Sequence, residues 1–145
     1  MSKANAALSV HAALSVLGTP LRPCCFSPLT GYFRDGFCKT ITEDRGSHTV
    51  CAVVTAEFLN FTASRGNDLS TPHPPSFPGL KAGDKWCLCA GRWLEAFEAA
   101  ASGAAPAAAV PRVLLSATNA AALKMVPEEA LRAHAAEEEA VGAAP

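Results

Sequence analysis

The sequence lacks the compact signatures of the common enzyme classes. It has no Gly-x-Gly-x-x-Gly, no Gly-Lys-Ser/Thr phosphate loop, no Gly-x-Ser-x-Gly elbow, no His-Glu-x-x-His, no Cys-x-x-Cys and no EF-hand loop. Nucleotide hydrolysis, dinucleotide chemistry, serine hydrolysis and thioredoxin-type redox therefore lack their usual residues. Basic runs are absent as well. The 12 Lys and Arg residues are scattered and the formal net charge is -1, which leaves no electrostatic footprint for nucleic acid. Long apolar runs are missing too. Ala6–Leu17 is interrupted by Ser9, His11 and Ser15, is preceded only by Lys3 and meets no small-x-small cleavage site. It reads neither as a membrane span nor as a secretory leader.

What is present is 145 residues, enough for one domain with its own core. Half of the composition is hydrophobic, but Ala inflates that share. Six cysteines are an even number, which suggests bridges in a small secreted chain. Without a secretory leader, a reducing compartment is the expectation, cytoplasmic before organellar, with the thiols free, buried or metal-bound.

Three regions differ in character. Residues 1–14 are an Ala-rich leader, 15–134 a single compact domain and 135–145 a flexible tail, while 99–111 is an Ala/Pro low-complexity stretch that reads as a linker. Asp35-Gly36 between aromatic flanks predicts a β-hairpin. Thr49–Val54 is β-branched and predicts a strand. Thr55 caps a helix with Phe58, Leu59, Phe61 and Thr62 inward, ended by Gly66. After a long Pro-containing connection over 66–80, Lys85–Ala90 predicts a strand. Gly91 onward, with Trp93, Leu94 and Phe97, predicts a helix. Arg112–Ser116 reads as a strand, Thr118 or Asn119 as a cap and Pro127 as a helix start. The order predicts an α+β domain: a small mixed or antiparallel sheet with a hairpin and three to four packing helices.

The densest chemistry lies at Asp84-Lys-Trp86-Cys87-Leu-Cys89 with Arg92-Trp93. On a strand both thiols point to one face, with Cα atoms about 6.6 Å apart and side chains parallel, which disfavours a bond between them. They are core fillers or, with ligands from elsewhere, a metal or redox pair. Cys38, His48 and Cys51 are the candidate partners, so Cys38, His48, Cys51, Cys87 and Cys89 form the candidate zinc set. His48 and Cys51 are three apart, which puts them on opposite faces of a regular strand. Arg34 is available for a carboxylate or phosphate, whereas Asp35 is explained by a turn and Asn67 and Asp68 by an Asx-turn.

Several segments carry a family resemblance: Ser15-Val-Leu-Gly-Thr-Pro-Leu-Arg-Pro-Cys24, Pro28-Leu-Thr-Gly-Tyr-Phe-Arg-Asp-Gly36, Gly46-Ser-His-Thr-Val-Cys-Ala52, Arg65-Gly-Asn-Asp-Leu-Ser-Thr-Pro72, Phe77-Pro-Gly-Leu80 and Gly83-Asp-Lys-Trp-Cys-Leu-Cys89. In this order the chain resembles the family catalogued as domain of unknown function 2237, over about residues 15–134. The resemblance implies one compact domain of unassigned activity. It marks Cys24, Gly31, Arg34, Asp35, Gly36, Cys38, His48, Cys51, Asn67, Asp68, Asp84, Trp86, Cys87, Cys89, Arg92 and Trp93. Ser27 stands where the pattern has an acidic residue, and Asn119 where it has His.

The expectation is a soluble intracellular domain whose pocket draws on Arg34, Asp35, Cys38, His48, Cys51, Asn67, Asp68, Cys87, Cys89 and Arg92. Such a pocket would bind or transform a small molecule, with zinc as a possible cofactor. A non-catalytic structural or interaction module is the alternative.

Overall fold

The computed structural model describes residues 13–136. Most of the predicted leader, and the tail beyond Ala136, lie outside the described residues. Three strands form an antiparallel sheet in the order β2-β1-β3: β1 (His48–Val53), β2 (Lys85–Cys89) and β3 (Arg112–Val113). Around it stand α1 (Ala56–Ser64), α2 (Ala90–Ala101) and α3 (Glu128–Ala133), with short 3-10 turns at Ala107–Ala109, Leu115–Ala117 and Ala120–Lys124. The α+β expectation holds. No helix among the described residues is long and apolar enough to cross a membrane.

The alternation along β1 and β2 divides the sheet into two faces of different chemistry. Val50 pairs with Leu88 and Ala52 with Trp86 on one face. This face packs with Phe58 and Leu59 of α1, Trp93 and Ala96 of α2 and Leu131 of α3 in the main core. Phe58 and Trp93 are fully buried, each contributing about 2–3 kcal/mol of hydrophobic stabilisation. The Trp93 indole N–H donates to the Pro111 carbonyl at 3.0 Å, so its polar atom is satisfied. Cys51 pairs with Cys87 on the other face, in a smaller buried group with Cys24, Cys38 and Ala117.

The local signals for α1 act as expected. The Thr55 hydroxyl accepts from the Phe58 N–H at 2.9 Å, and Gly66 follows the helix at φ 90°. The predicted 112–116 strand is shorter. Only Arg112 and Val113 pair with β1, and the Thr118 hydroxyl takes the Cys51 N–H at 3.1 Å in place of a ladder carbonyl. Of residues 99–111, expected as a linker, the first finish α2, 101–104 and 106–108 are exposed, and a 3-10 turn leads into the buried Ala109 and Val110. Alanine is small enough to let this backbone lie against α1 and α2.

The hairpin is corrected. Residues 31–37 form turns without a strand ladder. A type I′ hairpin needs positive φ at both Asp35 and Gly36; here the positive pair is Arg34 at 54° and Gly36 at 92°. The Asp35 carboxylate instead accepts from the Phe37 N–H at 3.1 Å and from Lys39 at 2.7 Å. Tyr32 and Phe33 are left exposed rather than paired across strands.

Candidate active site

Four of the six cysteines are bonded, Cys24 to Cys51 and Cys38 to Cys87, with Cα separations of 5.7 and 5.3 Å. The expectation of free or metal-bound thiols is corrected for these four. Cys51 and Cys87 sit opposite each other on β1 and β2, and the loops over 24–38 lay Cys24 and Cys38 across them. Both Cα separations fall in the range a bridge spans without distortion. Cys24, Cys38 and Cys87 also place their sulfurs within 4.8 Å of one another, a buried group that could hold a metal, although Cys38 and Cys87 are bonded to each other and Cys24 to Cys51.

Cys25 and Cys89 are free. Cys89 ends β2 and occupies the N-cap position of α2, so its side chain stands at the positive end of a twelve-residue helix. Its sulfur lies 3.3 Å from His48 Nε2. His48 opens β1 opposite Cys89, and an irregularity between His48 and Val50 adds one residue to this strand. The added residue overrides the parity of a regular strand. His48 thereby shares the face of Cys51, Cys87 and Cys89 despite lying three positions from Cys51.

The other imidazole nitrogen, Nδ1, lies 2.6 Å from Asp44 Oδ1. Asp44 is held in turn: its second oxygen accepts from the His48 N–H at 2.9 Å and from the Thr40 hydroxyl at 3.0 Å. The carboxylate side chain is only 1% exposed, whereas the imidazole is 36% exposed. Thiol, imidazole and buried carboxylate thus stand in line, with the carboxylate fixing the ring and the ring touching the sulfur.

The electrostatics agree with that line. The His48 pKa is pushed up to about 9, first by its hydrogen bond to the Cys89 sulfur, against burial, with Asp44 adding to the rise. For Asp44, burial alone would push the carboxyl up. The His48 N–H and ring and the Thr40 hydroxyl outweigh it and hold the group below its usual range. Gly46 leaves the space the pair needs: a Cβ there would sit 2.9 Å from His48 Cε1 and 3.1 Å from the Cys89 sulfur. An open cleft of about 540 Å³ adjoins the thiol, lined by Arg45, Gly46, Asn67, Cys89, Gly91, Arg92, Glu95 and Met125.

Of the ten sequence candidates, His48 and Cys89 meet in this line, and Asn67 and Arg92 lie on the same cleft. Cys38, Cys51 and Cys87 are bonded beneath it. The remaining candidates hold loops. Arg34 stacks over Trp86 at 4.9 Å and donates to the Ser76 and Gly31 carbonyls. Asp35 holds Lys39, and Asp68 accepts from the Ser70 and Thr71 N–H groups. Asn119 donates to the Cys38 carbonyl and caps the turn at Ala121. Sequence reading missed Asp44, Arg45 and Gly46. The available signal was an acidic residue four positions before His48, with a glycine between them.

Compared with known families, residues 14–135 match the family described as "Uncharacterized protein conserved in bacteria (DUF2237)". No curated protein matches the chain.

Proposed function

The chain belongs to the DUF2237 family, and we propose that its members of this type act through a thiol nucleophile, with Cys89 as the attacking atom on a small polar molecule in the adjoining cleft. The carrying observation is the continuous contact Cys89–His48–Asp44. In this reading the imidazolium stabilises the thiolate, and Asp44 fixes the tautomer and orientation of the ring. After the sulfur has attacked an electrophilic carbon, His48 returns its Nε2 proton to the leaving group. The first-turn N–H groups of Gly91 and Arg92, which lack intrahelical acceptors as in any helix, are the donors this helix end offers to negative charge developing beside Cys89. Arg45 on the cleft favours a substrate with an anionic or carbonyl group, whereas the Arg92 guanidinium donates to the Arg65 carbonyl and to Glu95.

A zinc-assisted form of this chemistry would need three protein ligands around an open position. His48 and Cys89 supply two, and the Asp44 carboxylate faces the far ring nitrogen, so the reading proceeds without a metal at this point. The second reading is a non-catalytic module. It is supported by Arg34, Asp35 and Asp68, whose polar groups are spent on fastening loops.

Thiol reactivity separates the two. Cys25 is a built-in control, a second partly exposed thiol with no hydrogen bond to its sulfur among the described residues. Under non-reducing conditions at pH 7, iodoacetamide should label Cys89 at least about tenfold faster than Cys25, and His48→Ala should abolish the difference. Equal, slow labelling of both thiols would sink the nucleophile and favour the module.

A further inference from the structure

The thiol site makes no use of the buried sulfur cluster beneath the sheet. Cys24, Cys38, Cys51 and Cys87 are all at most 6% exposed. The sulfurs of Cys24, Cys38 and Cys87 lie within 4.8 Å of one another although they belong to two different bonds, and the fourth sulfur, of Cys51, is attached to Cys24. Two parallel bridges would only need each sulfur to meet its own partner. Here one sulfur of the first bridge meets both sulfurs of the second, with Cys51 next to the group.

The backbones that carry these sulfurs are held independently of the bridges. The Cys87 N–H donates to the Thr30 hydroxyl at 2.9 Å, and the Cys51 N–H donates to the Thr118 hydroxyl at 3.1 Å. The Cys38 carbonyl accepts from the Asn119 amide at 3.0 Å, and the Cys24 N–H donates to the Gly36 carbonyl at 2.7 Å. Thr30, Thr118 and Asn119 are themselves buried. Opening both bridges therefore leaves four thiols on fixed supports, three of them around one centre and the Cys51 thiol beside that of Cys24.

A tetrahedral thiolate site, with metal–sulfur bonds of about 2.3 Å, has sulfur–sulfur edges of about 3.8 Å. The 4.8 Å limit already enclosing three of these sulfurs is about 1 Å from that. Ala117, Leu114 and Cys25 pack against the group. Among the described residues no carboxylate or imidazole joins it, so the ligand set is all sulfur and, with each of the four cysteines at most 6% exposed, closed to water, which selects a soft, four-coordinate cation.

We propose that reduction of the two disulfides converts Cys24, Cys38, Cys51 and Cys87 into a structural zinc site. A phosphine or dithiol reductant supplies four electrons and the resulting thiols take up four protons. Binding one Zn²⁺ then forms four Zn–S bonds and releases those four protons, leaving a tetrathiolate centre. The cluster exists in two closed forms, oxidised and zinc-loaded, and both hold the 24–38 segment to the sheet.

Cobalt is the optical probe. The full chain, reduced with a phosphine in the absence of oxygen and then given Co²⁺, should bind one equivalent. The product should show the intense d–d bands and sulfur-to-cobalt charge transfer of tetrahedral thiolate coordination, and Zn²⁺ should displace the cobalt. Cys24→Ser and Cys38→Ser should each lose the spectrum or weaken binding at least about a hundredfold, while Cys89→Ser and His48→Ala keep it. If the reduced chain loses its circular dichroism, Zn²⁺ should restore it. Absence of cobalt uptake, uptake that depends on Cys89 or His48 instead, or a reduced chain that Zn²⁺ does not refold, would each overturn the proposal.

Discussion

The Cys89 sulfur lies 3.3 Å from His48 Nε2 because β1 carries an extra residue between His48 and Val50. That register shift brings together two residues 41 positions apart at the start of α2. Asp44 then holds the ring from its other side. The positions of all three groups come from backbone: a bulge, a helix N-terminus and a turn that buries Asp44.

Asp44→Asn tests whether the carboxylate positions the ring. The amide keeps size and some hydrogen bonding but removes the charge that, after the Cys89 contact, adds to the raised pKa of His48. Labelling of Cys89 by iodoacetamide at pH 7 should fall about tenfold or more, with the pH profile shifted and far-UV dichroism unchanged. An unchanged profile would show that Asp44 serves only the 40–47 turn.

Gly46→Ala should separate the pair without disturbing the fold. Gly46 has no positive φ, so alanine fits its backbone, but the added carbon would press on both His48 Cε1 and the Cys89 sulfur. Moving the pair apart by several tenths of an ångström should cost about ten- to hundredfold in Cys89 labelling rate, with a loss of urea stability of about 1–3 kcal/mol. A full labelling rate in this variant would mean that the contact does not govern reactivity.

Arg34→Ala should do the reverse. Its guanidinium stacks over Trp86 and ties the 66–80 segment through the Ser76 carbonyl. Loss of those contacts should cost about 1–2 kcal/mol and speed limited proteolysis between residues 70 and 78, while Cys89 labelling stays as it was. A drop in labelling with unchanged proteolysis would return Arg34 to the site.

The bridges make a prediction in mass and in stability. In the denatured, unreduced chain two thiols, Cys25 and Cys89, should alkylate, and all six after reduction. The bonds close sequence separations of 27 and 49 residues. Chain entropy then gives about 3.5 and about 4 kcal/mol. Replacing Cys38 and Cys87 together by Ala should therefore lower the urea midpoint strongly, and six alkylated thiols without reduction would refute the pairing.

Legibility in the sequence followed how local each signal was. Thr49–Val54, the Thr55 cap and the Trp93–Phe97 stripe are local patterns, and they appear as β1, α1 and α2. The Asp35-Gly36 hairpin misled because the turn chemistry was right but the positive φ fell on Arg34. Cys89 and His48 were recognisable as reactive types. Their meeting was not, because strand parity argued against His48 and a bulge leaves no mark in residue types. Asp44 reads as an ordinary loop acid until its oxygens are seen to face the imidazole. The disulfides were hidden by a compartment argument, since pairing depends on Cα separations that sequence spacing does not contain.

The pH dependence of stability follows from the same contact. His48 has a folded-state pKa of about 9 against an ordinary 6.5. A raised pKa stabilises the fold fully below 6.5, and that stabilisation is lost as pH rises through 9. The full shift corresponds to about 3 kcal/mol; the ring is 36% exposed, and solvent screening reduces this to about 1 kcal/mol. Asp44 acts in the opposite sense. Its lowered pKa stabilises the fold above 3.8, and this is lost as pH falls further. The pair should therefore contribute most between about pH 4 and 6.5. Urea midpoints of the oxidised protein and His48→Asn, compared at pH 6 and 9.5, measure it: the wild-type advantage at pH 6 should shrink at pH 9.5. An advantage of equal size at both values would mean that His48 stabilises by packing, and that its charge adds nothing to the fold.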